Sequence, residues 1–173
     1  QMAIAFAEQT RWVMGIHDRD VLFTCLPLFH INALLCTLFS GLISGAEVVV
    51  APRFTASGFW AQILDTGATS VNLMGSMPAV LWRREPERAE RAHRLRIAMA
   101  LPLPTTRDAF EERFGVPTTE VYGSTDTGLP LGIPYGTRRP GSCGIPTPGW
   151  QTDVVDEHDH VRVAHRHERG HRR

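Results

Sequence analysis

The sequence predicts an α/β fold: a doubly wound, mostly parallel sheet with helices on both faces, followed by the start of a small β subdomain. Two observations support this fold class. Short apolar, β-branched runs alternate with helical patterns up to residue 122, and the connections between them are short enough for parallel crossovers. After residue 140 the pattern changes to glycine, proline and alternating residues, which is typical of short strands.

Five strands are predicted from runs of valine, isoleucine, leucine and threonine that are bounded by glycine, proline or polar residues. They cover residues 21–26, 47–51, 69–74, 95–101 and 118–122. Because helices are predicted between consecutive strands, the strands are expected to run parallel.

The helices are predicted from apolar residues at helical spacing, beginning with an amphipathic helix over residues 2–16. The proposed caps are Asn32, Thr55 or Ser57, and Thr105 or Thr106, and the closing glycines are Gly15, Gly45, Gly67 and Gly115. The densely charged segment 83–96, which Pro86 interrupts, is expected to be a solvated helix or turn outside the sheet.

No formally charged residue occurs between Asp20 and Glu47. The segment is long enough to span a bilayer, so a transmembrane helix is one alternative. Pro27 and Asn32 interrupt it and its first part resembles a strand, which favours a buried strand followed by a buried helix. We therefore predict no transmembrane segment.

The overall composition is that of a globular protein with 173 residues, 43% hydrophobic and 21% charged, which suits one domain with a real core. A net charge of zero argues against nucleic acid or an anionic membrane surface as partners. Three widely spaced cysteines, with no C-x-x-C pair and no export signal, predict a reducing, cytoplasmic setting. All 18 basic residues are arginine, so the chain holds no catalytic lysine.

The segment 119–128 carries the residues best suited to a ligand. It reads as a strand that runs into a loop with an aromatic ring, hydroxyls and one carboxylate, which are Tyr122, Ser124, Thr125 and Asp126. An aromatic face suits a base, hydroxyls and backbone N–H groups suit phosphate oxygens, and a carboxylate suits Mg²⁺. A plain glycine-serine-threonine turn is the alternative.

Position in the sheet favours the nucleotide site. Segments 27–30, 75–76, 101–104 and 122–126 each follow a predicted strand. Ligands of open parallel sheets bind where the carboxyl ends of the strands meet. The four segments are therefore expected to share one edge.

Four motifs together resemble the adenylate-forming superfamily of AMP-dependent synthetases and ligases. They are Pro27-Leu28-Phe29-His30, Leu101-Pro102-Leu103-Pro104, Tyr122-Gly123-Ser124-Thr125-Asp126 and Arg139-Pro140-Gly141-Ser142-Cys143-Gly144. Their order and spacing match the superfamily over about residues 1–157, and the surroundings are most similar to crotonobetaine/carnitine-CoA ligases and fatty acyl-CoA ligases. Each motif is weak alone, and the set is specific.

The resemblance implies residue roles around a bound nucleotide. Tyr122 would pack against adenine, within a loop whose residues Gly123 and Ser124 also face the nucleotide. Thr125 would bind the α-phosphate. Asp126 would help to hold Mg²⁺, although the family usually has glutamate there, which reaches one methylene further.

The resemblance also makes His30 a candidate catalytic residue beside Thr125, since it matches the histidine that lines the acyl and pantetheine side of the pocket. A buried histidine satisfied by the backbone is the alternative for His30. Leu101 and Pro102 match the loop that approaches adenine. The family has Gly-Gly-Ala before that proline, whereas this chain has residues 99–101 as Met-Ala-Leu, so a side chain is expected to crowd the approach.

The implied function is that of a fragment of an ATP-dependent acyl-CoA ligase, from the N-terminal domain. Such an enzyme activates a small carboxylic acid as an acyl-adenylate with ATP and Mg²⁺ and passes the acyl group to coenzyme A. The family's lysine-bearing phosphate loop, ribose-binding aspartate and C-terminal lysine have no match here, so the isolated chain is expected to be inactive. A degenerate nucleotide- or acyl-binding protein of the same fold is the alternative.

The domain prediction is a partial adenylate-forming α/β domain over 1–139, a β subdomain starting at 140–157, and a His/Arg-rich tail over 158–173 that is disordered or aberrant. A metal site in the tail is a weaker alternative, because His-x-His occurs twice there. An α/β hydrolase or a dinucleotide-binding oxidoreductase is disfavoured, since neither G-x-S-x-G nor G-x-G-x-x-G is present.

Overall fold

A five-stranded parallel sheet organises the chain, with the strand order β2-β1-β3-β4-β5. The structure is a computed structural model that describes residues 1–102 and 105–166. The strands are β1 Val21–Thr24, β2 Glu47–Val50, β3 Ser70–Met74, β4 Ile97–Leu101 and β5 Thr118–Thr119. The predicted parallel sheet is confirmed, and each strand lies within one of the predicted apolar runs.

The helices cover both faces of this sheet. Their bounds are α1 Met2–Met14, a π-helix Asn32–Phe39 that continues as α2 Ser40–Ser44, α3 Phe59–Thr66, α4 Met77–Trp82 and α5 Arg107–Phe114, with a short 3₁₀ turn at Arg88–Arg91. One apolar core, which includes Phe6, Val13 and Cys36, lies under α1 and the π-helix. The other, which includes Trp60 and Phe114, lies under α3, α4 and α5. Burial of apolar surface on both faces is what holds the helices to the sheet.

In the part of the chain that the structure describes, none of the predicted caps provides a side-chain hydrogen bond to its helix, although Thr106 does occupy the predicted cap position of α5. Asn32 is buried inside the first turn of the π-helix, where its Oδ1 accepts a hydrogen bond of 2.9 Å from Asn72 Nδ2 on β3. The residues at the cap positions of α3 and α5 are Gly58 and Thr106, and neither provides a side-chain hydrogen bond. A buried amide has more to gain from a partner in the neighbouring strand than from a local cap, because an unpaired buried amide is costly. The closing glycines are all confirmed as helix ends.

The uncharged stretch between Asp20 and Glu47 forms β1 and the helix that covers it, as the favoured reading predicted. Within residues 1–102 and 105–166, no helix has the length and apolar character needed to cross a membrane.

The charged segment 83–96 is only partly solvated, contrary to the prediction. Glu90 is 2% exposed. It accepts hydrogen bonds of 2.7 and 3.0 Å from Arg113 of α5, which also donates to the carbonyl oxygens of Trp82 and Arg84. The segment therefore packs onto the aromatic core through a buried ion pair. Hydropathy alone cannot predict such a pair, because the partner lies elsewhere in the chain.

The fifth predicted strand divides in two. Thr118–Thr119 pair with β4, but Val121–Ser124, here β6, pair antiparallel with β7, Gly128–Gly132, which in turn pairs with β8, Ile145–Pro146. The physical reason is that the chain turns back directly after β6. Strand β7 therefore offers β6 a partner nearer in the chain than β4. The predicted domain boundary at residue 140 falls inside this second sheet, between β7 and β8, and the division into domains stays a prediction.

The beginning of the predicted tail forms a strand, and the assignment of 158–173 as a disordered or aberrant tail stays a prediction. Strand β9, Gln151–Val155, pairs antiparallel with β10, Val161–Arg166. His158 and His160 lie in the connecting turn, and no group of three metal-binding side chains occurs in the described part of the chain. Residues 167–173, including the second half of the other His-x-His pair, lie outside the described residues.

His93 gives the fold a predictable pH dependence. Its ring stacks on Trp60 at 5.3 Å between centroids, its Nδ1 accepts from Leu95 N–H, and its Nε2 lies 2.9 Å from the carbonyl oxygen of Phe114. Burial lowers the pKa of His93 from its usual 6.5, with the hydrogen bond to Phe114 opposing that effect. The unfolded chain therefore binds the proton first as the pH falls.

We expect the free energy of unfolding to decline as the pH falls below about 6.5, with a slope of at most about 1.4 kcal/mol per pH unit from this one group. His93→Gln, which cannot titrate, should show a shallower decline between pH 7.5 and 5.5 in urea unfolding. Equal declines in both proteins would show that His93 does not carry the effect.

Candidate functional site

The predicted ligand edge forms where the parallel strands end. The loop after β3 meets the end of β4, since Gly75 N–H donates to the carbonyl oxygen of Leu101 at 2.7 Å. The segment after β1 reaches the same place, because Asn32 Nδ2 lies 3.4 Å from the sulfur of Met74, the last residue of β3. With three strand spacings between β1 and β5, the segments that follow them are separated by roughly 14 Å.

Tyr122 follows β5, an edge strand of the parallel sheet, by three positions in the chain. It lies on β6, where Val121 turns into the core and Tyr122 is 63% exposed. The next residue must be glycine, because a Cβ at Gly123 would lie 2.0 Å from the carbonyl oxygen of Gly128 on β7. Gly123 thus lets the hairpin close tightly, and the ring of Tyr122 stands on an open surface where a base can stack.

The turn that follows is held by its own hydroxyls. Ser124 and Thr127 contact each other at 2.9 Å between hydroxyl oxygens, and each also accepts from the other's backbone N–H at 3.2 Å. Thr125 and Asp126 lie at the tip, exposed and with no hydrogen bond or ion pair to the described residues. The two side chains that the family resemblance assigns to phosphate and Mg²⁺ are therefore available, whereas the hydroxyl of Ser124 already serves the turn.

His30 lies on the surface, which rules out the alternative of a buried histidine. Its ring contacts that of Phe29, with 4.5 Å between centroids, and Phe29 is itself 82% exposed. The backbone fixes this position, since His30 N–H donates to the carbonyl oxygen of Pro27 and the oxygen of His30 accepts from Leu34. The imidazole has no ring hydrogen bond within residues 1–102 and 105–166.

Of the three residues before Pro102, only Leu101 has a side chain that is not completely buried and could crowd the approach. Met99 and Ala100 are completely buried, and Leu101 is half-buried against the core beneath α1. Pro102 is exposed beside the loop after β3. The remaining residues of this motif, Leu103 and Pro104, lie outside the described residues.

A cavity of about 580 Å³ opens beside the Tyr122 strand. The N-terminal end of α5, Glu120 and the segment 138–141 line it. Burial raises the pKa of Glu120, and the positive charge of Arg107 offsets part of that rise. Sequence analysis missed Glu120 as a site residue, although a carboxylate two positions before an exposed tyrosine, on the opposite side of the strand from buried Val121, was a usable signal.

An ion-pair network fixes the far wall of this cavity. Arg138 pairs with Asp108 and lies 3.4 Å from Glu111, and Glu111 also accepts a hydrogen bond of 2.9 Å from Arg107. Burial alone would raise the pKa of Glu111, but hydrogen bonds from Thr118 and Arg107 outweigh it and hold that pKa below its usual range. The network ties the loop that leads to Arg139 onto α5.

The residues present fit a Mg²⁺ ion only if a ligand supplies most of its oxygens. Asp126 is a single exposed carboxylate, and the described residues contain no group of three metal-binding side chains. Mg²⁺ commonly binds through one or two carboxylates together with substrate phosphates and water. Asp126 suits that kind of site, and it does not suit a cage built from protein alone.

Comparison with known proteins identifies the family of the chain. Residues 1–171 match the protein family described as AMP-binding enzyme. The chain is 36% identical over 132 residues to sulfoacetate–CoA ligase of Cupriavidus necator, covering 74% of this chain and 26% of the relative. It is 32% identical over 152 residues to crotonobetaine/carnitine–CoA ligase of Shigella sonnei, covering 86% and 29%. The chain thus spans less than a third of the length of either relative.

A solved structure supports the fold independently. The chain superimposes on a benzoate CoA ligase from Burkholderia xenovorans with a TM-score of 0.76 and 22% identity, covering 92% of this chain and 34% of that one. This likeness confirms the parallel α/β architecture, and the sequence match extends over nearly the entire chain. The chain therefore belongs to the AMP-binding enzyme family, as the four motifs predicted, and its relatives in that family are AMP-forming CoA ligases.

Proposed function

We propose that the chain supplies part of the nucleotide- and acid-binding edge of an ATP-dependent acyl-CoA ligase. One observation carries the proposal. Tyr122, Thr125 and Asp126 stand exposed on one short hairpin that directly follows β5, and the exposed His30 segment follows β1 of the same parallel sheet. An aromatic face, a hydroxyl and a carboxylate in that order suit the base, the phosphates and the cation of a bound nucleotide. The exposure of all three leaves them free to bind it.

Adenine recognition is proposed to involve two groups that lie two positions apart in the chain. The ring of Tyr122 stacks on the base, and the carboxylate of Glu120, in the adjacent cavity, accepts from the exocyclic amine. Glu120 suits this role because it is half-buried, borders open space and has no side-chain hydrogen bond within the described residues. Leu101 and Pro102 approach the base from the end of β4.

The chemistry begins when a carboxylate oxygen of the acid attacks the α-phosphorus of ATP. A phosphorus–oxygen bond forms, the bond to the β-phosphate bridge breaks, and pyrophosphate leaves with the electron pair. The hydroxyl of Thr125 donates a hydrogen bond to an oxygen of the α-phosphate, and this bond orients the phosphate for attack. Asp126 is the residue that would hold Mg²⁺, and that ion, when bound, neutralises phosphate charge.

The second half-reaction transfers the acyl group to a thiol, that of coenzyme A. The thiol loses its proton to solvent, its sulfur forms a bond to the carbonyl carbon, and the bond from that carbon to the AMP oxygen breaks, so that AMP leaves with the electron pair. His30 and Phe29 follow β1, which is three strand spacings from β5. These spacings alone separate them from the segment after β5 by roughly 14 Å. Both residues are therefore proposed to line the acyl and thiol side rather than the nucleotide side.

Replacement of Tyr122 by alanine should weaken AMP binding about tenfold or more, because stacking on an aromatic ring contributes about 1–3 kcal/mol per base. Isothermal titration of the chain with AMP measures this directly. Tyr122→Phe keeps the stacking face and should bind as the parent does. If alanine at this position leaves the dissociation constant unchanged, the base does not stack there.

A nucleotide-binding protein without turnover is the second candidate, and the absence of lysine from the sequence favours it for this chain. The removal of one charge-stabilising donor typically costs ~10²- to 10³-fold in rate. We therefore expect AMP binding without pyrophosphate release when the chain is incubated with ATP, Mg²⁺ and carboxylic acids. Clear turnover would contradict that expectation, and absence of any nucleotide binding would reject both candidates.

A further inference from the structure

A second cavity, of about 320 Å³, opens at the same sheet edge between α4 and the start of α5. Gly75 and Pro102, which follow β3 and β4, border it. Thr105 and Thr106 line both this cavity and the cavity that contains Glu120. The two cavities therefore adjoin at Thr105 and Thr106, so that a single extended substrate could occupy one beside a nucleotide in the other.

The chemistry of the second cavity differs from that of the first. Its walls are mainly apolar, formed by Ala79, Trp82 and Pro102, and hydroxyls of Thr105 and Thr106 are its uncharged polar groups. Arg83 is the single charged residue among those that line it. The first cavity, in contrast, is bordered by both carboxylates and arginines.

Arg83 is an unbalanced charge. It is exposed and has no ion-pair partner among the residues that the structure describes, whereas Arg96, Arg107 and Arg113 each pair with a carboxylate. A cleft with apolar walls and one uncompensated cation attracts an anion. A guanidinium also offers two parallel N–H donors to a carboxylate or sulfonate.

We propose that this cavity binds the far end of a short acid that carries a second anionic group, a carboxylate or a sulfonate. The proposal rests on the proposed ligase function, which places the reacting carboxylate on the nucleotide side, near Thr125. Arg83 lines the second cavity but not the first, whereas Thr105 and Thr106 line both, so Arg83 receives the distal anion. The apolar walls accommodate the methylene groups between the two charged ends.

The experiment uses the indole N–H resonance of Trp82 in the ¹⁵N-labelled chain, assigned by its loss in Trp82→Phe. Succinate and 3-sulfopropanoate are titrated against butyrate, which has similar length and no second anion. We expect both dianions to shift this resonance and to bind about fivefold or more tightly than butyrate, the upper range for a solvent-exposed ion pair. The stronger of the two identifies the preferred anion.

Arg83→Gln should abolish the preference for dianions, while Arg88→Gln, a matched change at an exposed arginine that does not line the cavity, should keep it. Equal binding of butyrate and the dianions to the parent chain, an unaltered preference in Arg83→Gln, or an equal shift by inorganic phosphate would overturn the proposal. An AMP titration in the same samples separates the two ideas. If the chain prefers dianions but does not bind AMP, the ligase function is rejected. The cavity would then bind anions for a different function.

Discussion

Arg96→Gln is expected to lower the free energy of unfolding by about 3 kcal/mol, because it leaves a buried carboxylate without its cation. Asp20 is 2% exposed, and Arg96 donates to both of its oxygens, with 2.7 Å from Nε to Oδ1. Burial pushes the pKa of Asp20 up, but hydrogen bonds from Arg96 and Thr69 outweigh it and keep that pKa below its usual range. Asp20 thus remains ionised inside the fold.

Arg96 also joins separate parts of the chain at the edge opposite the proposed site. Its guanidinium donates to the carbonyl oxygens of Met14 and Gly15, at 3.0 and 2.8 Å, and lies 4.9 Å from the centre of the Tyr135 ring. Urea unfolding measures the loss. Arg94→Gln, the same change at an exposed neighbour, should alter stability by at most about 0.5 kcal/mol. Equal effects in both variants would refute the assigned role of the Asp20 ion pair.

Phe114→Ala is expected to cost about 3–5 kcal/mol, as is typical of a large aromatic residue removed from a packed core. Its side chain is completely buried. It stacks on Trp60 with 5.0 Å between ring centroids and lies 4.5 Å from the ring of Phe110. Because these rings hold α5 to the sheet, the residues that line the cavities at its N-terminal end should also become less well positioned.

Phe29→Ala is the matched control for that change. Phe29 is 82% exposed, so its truncation should leave the free energy of unfolding within about 0.5 kcal/mol of the parent value. Thermal or urea unfolding of both variants makes the comparison. A small cost for Phe114→Ala would mean that the aromatic core beneath α5 is loosely packed.

Much of the fold was predictable because its signals are local. Valine-rich strands such as β2 and the helix-ending glycines reflect preferences of short segments, and their alternation leaves few ways to arrange a sheet. The same alternation predicts a shared edge for His30 and Tyr122, which stays a prediction. Both residues are exposed, as a ligand site requires.

The remaining features depend on contacts between distant residues. Asn32 pairs with Asn72 across 40 positions, and Glu90 with Arg113 across 23, so neither partner is visible in a local pattern. The switch of Val121 into a second sheet likewise requires the chain to return as β7. Sequence reasoning assigned these polar side chains to caps or solvent because it considered only their neighbours.

The proposed site was predictable to the same extent. The motif residues Tyr122, Thr125 and Asp126 were named from the sequence, and their roles stay predictions. Glu120 and Arg83 were missed because their interest comes from the cavities they border, which depend on α4, α5 and the 138–141 segment. A cavity is a property of packing, and no single motif encodes it.

Paramagnetic broadening by Mn²⁺·ATP tests the location of the nucleotide site most directly, since Mn²⁺ can replace Mg²⁺ beside the phosphates. In the ¹⁵N-labelled chain, the amide signals of Thr125 and Asp126 should broaden first and that of His30 to a smaller degree. Those of Asp18 and Gly67, which precede strands at the opposite edge of the sheet, should stay sharp. Broadening centred on Asp18 or Gly67, with the Tyr122 hairpin unaffected, would contradict a nucleotide site at the carboxyl ends of the strands.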